Sequence, residues 1–82
     1  MEAQLVQKRL SEATQSGARV SLLLRGAHRL DIENASVTSD VVEGETRFEI
    51  TGAIGIDGQN ARNGKVAVTS GDIACLFVED QS

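Results

Sequence analysis

The stretch Arg19–Thr38, RVSLLLRGAHRLDIENASVT, decides the fold. Val20, Leu22 and Leu24 alternate with Ser21, Leu23 and Arg25. After a turn at Gly26, Ala27 and His28, Leu30 and Ile32 alternate with Asp31 and Glu33. A period of two marks a half-buried strand, so the stretch predicts two β-strands joined by a tight turn. The phase then slips, because Ala35 and Val37 would face the side opposite to Leu30 and Ile32. A one-residue slip near Glu33–Asn34 predicts a β-bulge or sharp bend.

Upstream, Glu2 to Ser16 reads as a helix. Ala3, Val6, Leu10 and Ala13 form one apolar stripe, widened by Leu5, and Gly17 suits its C-terminal cap. The stripe is thin, so the helix should need the sheet to dock on. Downstream, Glu43-Gly44-Glu45 is a turn. Thr46–Ile56 is a strand with Phe48, Ile50, Ile54 and Ile56 on one face. Gly52 shares that register, where it permits a bend or a close backbone approach. Asp57 to Gly64 reads as an exposed polar loop. Lys65–Thr69 and Ile73–Glu79 are two more strands around a short turn, Ser70-Gly71-Asp72. In the last strand Ile73, Cys75 and Phe77 are assigned to one face and Ala74, Leu76 and Val78 to the other. A strand apolar on both sides is a liability as an open edge, so a partner chain is expected to cover it.

The expected fold is therefore one mainly β domain over residues 1–82: an N-terminal helix (2–16) followed by a five-stranded, strongly bent antiparallel small barrel (19–79). A chain of 82 residues buries only a little over ~60% of its unfolded surface. Disulfides, metals or oligomerisation commonly supplement so small a core. With one cysteine and one histidine, an internal disulfide and a zinc site are both excluded. Oligomerisation remains, and no cofactor is expected. The two aromatic residues, Phe48 and Phe77, both read as core.

The N-terminal MEAQLVQKRLSEATQSG has charges through its middle and no apolar h-region, so a signal peptide is not expected. No apolar run approaches the ~20 residues of a membrane span. The expected location is cytoplasmic. The net charge of −4 is uneven: residues 1–30 carry +3 and residues 31–82 carry −7. An acidic total opposes indiscriminate binding to nucleic acid, while a local basic face can still attract phosphate.

Two stretches carry a resemblance. Val20-Ser21-Leu22-Leu23-Leu24-Arg25-Gly26-Ala27-His28-Arg29-Leu30 resembles the first strand, turn and second strand of the bacterial host-factor branch of the Sm-like proteins, which are RNA chaperones. Val68-Thr69-Ser70-Gly71-Asp72-Ile73-Ala74-Cys75-Leu76-Phe77 resembles that family's closing pair of strands. The resemblance implies an Sm-like barrel that assembles as a ring, strand four of one subunit pairing with strand five of the next. Val66, Val68, Ile73, Cys75, Leu76, Phe77 and Val78 would then carry the subunit contact. It also implies RNA as a ligand, with Lys8, Arg9, Arg25, His28 and Arg29 supplying phosphate contacts. The chain departs from the family where RNA is recognised. A lysine–histidine pair belongs in the last turn, where this chain has Ser70-Gly71-Asp72. The aspartate and asparagine of the wider family's first loop are met only by Thr38-Ser39-Asp40. The resemblance thus bears on fold and ring more than on base recognition.

Other chemistry is sparse. Asp31 and Glu33 project from one strand face, either as a cation or acid–base pair or as a solvated face. Arg25, His28 and Arg29 make the best anion-binding cluster, set against an ordinary exposed turn. Cys75 has no base near it in sequence and is expected to be a buried, inert thiol. Gly55 and Gly58 lack the lysine and hydroxyl of a phosphate loop. Asp57, Asn60 and Asn63 lack the closing glutamate of a calcium loop. No triad, metal cluster or cofactor motif supports an enzyme. The competing expectation is a small barrel that binds a protein partner through its strand edges and the polar 57–64 loop.

Overall fold

The computed structural model describes residues 2–79. Helix α1 (Ala3–Ser16) is followed by β1 (Arg19–Leu24), β2 (Arg29–Val42), β3 (Glu45–Ile56) and β4 (Arg62–Thr69). A single 3-10 turn, Ser70–Asp72, then leads into β5 (Ile73–Glu79). The strands form one five-stranded antiparallel sheet in the order β4-β3-β2-β1-β5. The closed barrel expected from sequence is not what is found: the sheet is open, with β4 and β5 as its two edges.

The connection between those edges dictates the sheet's shape. In a flat sheet β4 and β5 would lie about 19 Å apart, four spacings of ~4.8 Å. The chain from Thr69 to Ile73 spans at most about 14 Å when fully extended. A flat sheet is therefore impossible, and this one must curl its edges toward each other.

Two bulges supply curvature. Glu33 pairs with Ala53 and Ser36 with Thr51, so Asn34 and Ala35 together oppose Gly52. Asn34 takes φ 54°. This is the bend predicted from the phase slip. The second bulge was hidden in sequence. Leu23 pairs with Cys75 but Leu24 pairs with Ile73, which leaves Ala74 as the extra residue. It reverses the phase of β5, so Ile73 is buried while Leu76 and Val78 also turn inward, half-buried. Cys75 and Phe77 point outward instead. Phe77 is 62% exposed, and the expected core role for it and for the Cys75 thiol is corrected.

The core draws on α1 and all five strands. Val6, Leu10 and Ala13 of α1 meet Val20, Leu22, Leu30, Ile32, Phe48, Ile50, Val68 and Ile73. Leu5 stays exposed rather than widening the buried stripe. Gly17 closes α1 at φ 71°, its N–H donating to the Ala13 carbonyl. Ile56, at the end of β3, is 51% exposed rather than inside. The expected 57–64 loop is shorter than the sequence suggested: Arg62, Asn63 and Gly64 pair with Ile54, Ala53 and Gly52. Only residues 57–61 connect β3 to β4, through a tight turn in which Asp57 and Gly58 both have positive φ. No helix among the described residues is long and apolar enough to cross a membrane.

Candidate nucleic-acid interface

The β1–β2 turn gathers Arg25, His28 and Arg29. The Leu24 N–H donates to the His28 carbonyl at 2.8 Å, and Gly26 (φ 100°) and Ala27 (φ 67°) reverse the chain. The structure gives these cationic groups local partners. Arg25 Nε donates to the Gly71 carbonyl at 2.7 Å, and its backbone N–H donates to the Asp72 carbonyl at 2.8 Å. His28 Nδ1 lies 3.0 Å from Asp57 Oδ2. The Arg29 N–H donates to Asp57 Oδ1 at 3.0 Å, and Arg29 Nε to Asp31 Oδ2 at 3.2 Å. The Arg29 backbone N–H, and after it His28, hold the Asp57 carboxyl below its usual range. The cluster is thus a mixed-charge knot that pins the turn to the β3–β4 connection.

Lys8 and Arg9 lie elsewhere, on α1. Arg9 lines a shallow depression of about 250 Å³ with Leu5, Leu76, Phe77 and Val78. Arg25 is anchored at the opposite end of β5, beside Asp72. At ~3.3 Å per residue, Asp72 and Phe77 are about 16 Å apart. The five residues expected to contact phosphate therefore do not form one patch.

Asp31 and Glu33 are also engaged. Ser21 Oγ donates to Asp31 Oδ1 at 2.7 Å, and Arg19 pairs with Glu33. The solvated-face reading of this pair fits those contacts. No group of three or more His, Cys, Asp or Glu side chains among the described residues could hold a metal.

The residues expected at a subunit contact divide in two. Val68, at 6% exposure, and Ile73, fully buried, place their side chains in the chain's own core, which leaves only their backbone to an edge contact. The inward packing of both edge strands is the reason. Val66, Cys75, Leu76, Phe77 and Val78 keep exposed or half-exposed surface along the two edges.

One further hollow was not read from the sequence. It measures about 440 Å³ and lies where β3 passes into β4. Ile54, Ile56 and Val66 line its apolar part and Gln59, Asn60 and Arg62 its polar part, while Asn63 and Lys65, paired with Ala53 and Thr51, border it by backbone and send their side chains to the other face of the sheet. Lys65 is paired with Glu49 at 3.0 Å. The side chains of Gln59, Asn60, Arg62 and Asn63 make no hydrogen bond or ion pair among the described residues. The available signal was the polar run Gln59-Asn60-Ala61-Arg62.

Comparison of the chain with protein-family models, curated proteins and solved structures gives no match.

Proposed function

We propose that the chain is a non-catalytic, Sm-like module that assembles edge to edge into an oligomer, a ring, and holds RNA. The observation that carries this reading is the strand order. It leaves β4 and β5 as two unpaired antiparallel edges on a curled sheet. Unpaired edges invite another strand. A β4 edge of one copy and a β5 edge of the next make a heterologous contact, which closes into a ring when the rotation permits. Exposed Phe77 and half-buried Leu76 and Val78 give that contact apolar area. Within the assembly each curled sheet would complete its barrel against its neighbours. RNA comes from the resemblance of residues 20–30 and 68–77 to the host-factor branch.

Light scattering with simultaneous 260 and 280 nm absorbance tests both parts together. The expected result is a mass several times that of one chain, with co-purified nucleic acid. A monomer at all concentrations removes the assembly. Filter binding of uridine-rich and adenine-rich RNA should weaken steeply with salt. No binding of either at low salt removes the ligand.

A second reading is a protein-binding module. The pairing of Arg25, His28 and Arg29 with neighbouring groups favours it, since those cations are less available to phosphate. Recovery of one defined protein partner, free of nucleic acid, decides for it.

A further inference from the structure

Among the strand residues, most charged groups have a partner nearby. Arg19, Arg29, Arg47 and Lys65 each sit in an ion pair. Arg25 is held by a backbone carbonyl. The β3–β4 hollow differs: its cation Arg62 and its carboxamides Gln59 and Asn60 have no partner among the described residues. They surround aliphatic surface from Ile54, Ile56 and Val66. A hollow of about 440 Å³ falls within the range of small-molecule sites.

We infer that this hollow is a nucleobase pocket, an assignment that rests on the RNA reading above. The chemistry matches in three respects. A base is a flat ring whose faces are apolar, and Ile54, Ile56 and Val66 offer a surface for one face. Its edge carries adjacent donors and acceptors, and a carboxamide presents one of each, the geometry by which Asn and Gln address base edges. The nucleotide's phosphate needs a cation, and Arg62 is unpaired at the rim. The pocket stands apart from the Arg25–Arg29 turn. Base recognition is thereby assigned to residues other than those first expected to meet RNA.

The test uses the full chain, labelled with 15N and with 13C at isoleucine and valine methyls. Adenosine 5′-monophosphate and uridine 5′-monophosphate are titrated separately, with ribose 5-phosphate as the control lacking a base. At least one nucleotide is expected to shift the Gln59 and Asn60 side-chain amides and the Ile56 methyl, while ribose 5-phosphate leaves them in place. The exposed double substitution Gln59→Ala, Asn60→Ala should weaken binding of that nucleotide about tenfold without moving the unfolding midpoint. Arg62→Ala should lower the salt slope of oligonucleotide binding by ~0.7. If oligonucleotides bind but none of these resonances moves, the pocket assignment is overturned and the RNA reading stands. If nucleotides shift these resonances while no oligonucleotide binds, the pocket stands and the RNA-module reading falls. If neither binds, both are overturned.

Discussion

Gly52 lies directly beneath the Glu33 carbonyl: a Cβ built on Gly52 would sit 2.7 Å from that oxygen and 3.3 Å from the Ala35 Cα. The bulge in β2 and the glycine in β3 are one feature. Two residues on one strand oppose one on the other, and the single residue must lack a side chain. Gly52→Ala should therefore push the bulge aside and cost about 1–3 kcal/mol, the range for overpacking. Gly64→Ala, with nothing within 4 Å of its added carbon, should stay within about 0.5 kcal/mol of the parent. Urea unfolding of both variants checks the contrast.

Asn34 makes the other half of that bulge at φ 54°. Asparagine tolerates this left-handed region and β-branched residues do not. Asn34→Val should lose about 1–2 kcal/mol, while Asn34→Gly should change little. Equal losses in the two variants would show that backbone conformation is not the constraint.

The two phenylalanines should behave oppositely. Phe48 is fully buried, and Phe48→Ala should cost about 3–5 kcal/mol. A domain of this size has a total stability of only about 4–12 kcal/mol, so that variant should unfold readily. Phe77→Ser should leave the unfolding midpoint of dilute protein nearly unchanged and weaken self-association in sedimentation velocity. A stability loss from Phe77→Ser as large as that from Phe48→Ala would contradict its outward placement.

Asp57 sets a pH dependence of known sign. Its folded carboxyl titrates below the ordinary 3.8 because the Arg29 N–H and His28 hold it ionised. The stabilisation is present in full above 3.8 and fades as pH falls through the lowered folded value. Asp57 is open to solvent, which keeps the effect small. NMR titration should place its midpoint below 3.8, and His28→Ala should raise it part of the way back. Asp57→Asn should be less stable than the parent at neutral pH, with the difference vanishing in strong acid. A difference constant across pH would mean that charge plays no part.

The sequence made the first bulge legible because polar residues alternate with apolar ones on β2: a slip in phase is visible only where there is a phase. Residues 73–78 are apolar throughout, so the Ala74 bulge left no trace, and the outward turn of Cys75 and Phe77 was missed. The start of β4 was hidden differently. Arg62-Asn63-Gly64 has the composition of a loop, and only backbone pairing to β3 makes it a strand. The turn cations were found, but Asp57, which meets His28 and the Arg29 backbone N–H, lies 28 residues from Arg29 and no local pattern announces it. The hollow at Ile54, Ile56 and Val66 is likewise assembled by pairing rather than by spacing.

The Ser70–Asp72 turn has a consequence for the proposed edge-to-edge assembly. Both unpaired rims of the sheet come from a single uninterrupted length, Arg62–Glu79. A head and a tail are thus encoded side by side, hinged by three residues. The Gly71 N–H is clasped by Glu45 Oε1 at 3.1 Å and the Gly71 carbonyl by Arg25. A turn held from both sides fixes the separation and mutual tilt of the two rims. In the proposed edge-to-edge assembly, the angle between successive copies would then be written into this one short connection rather than into the docking surfaces alone.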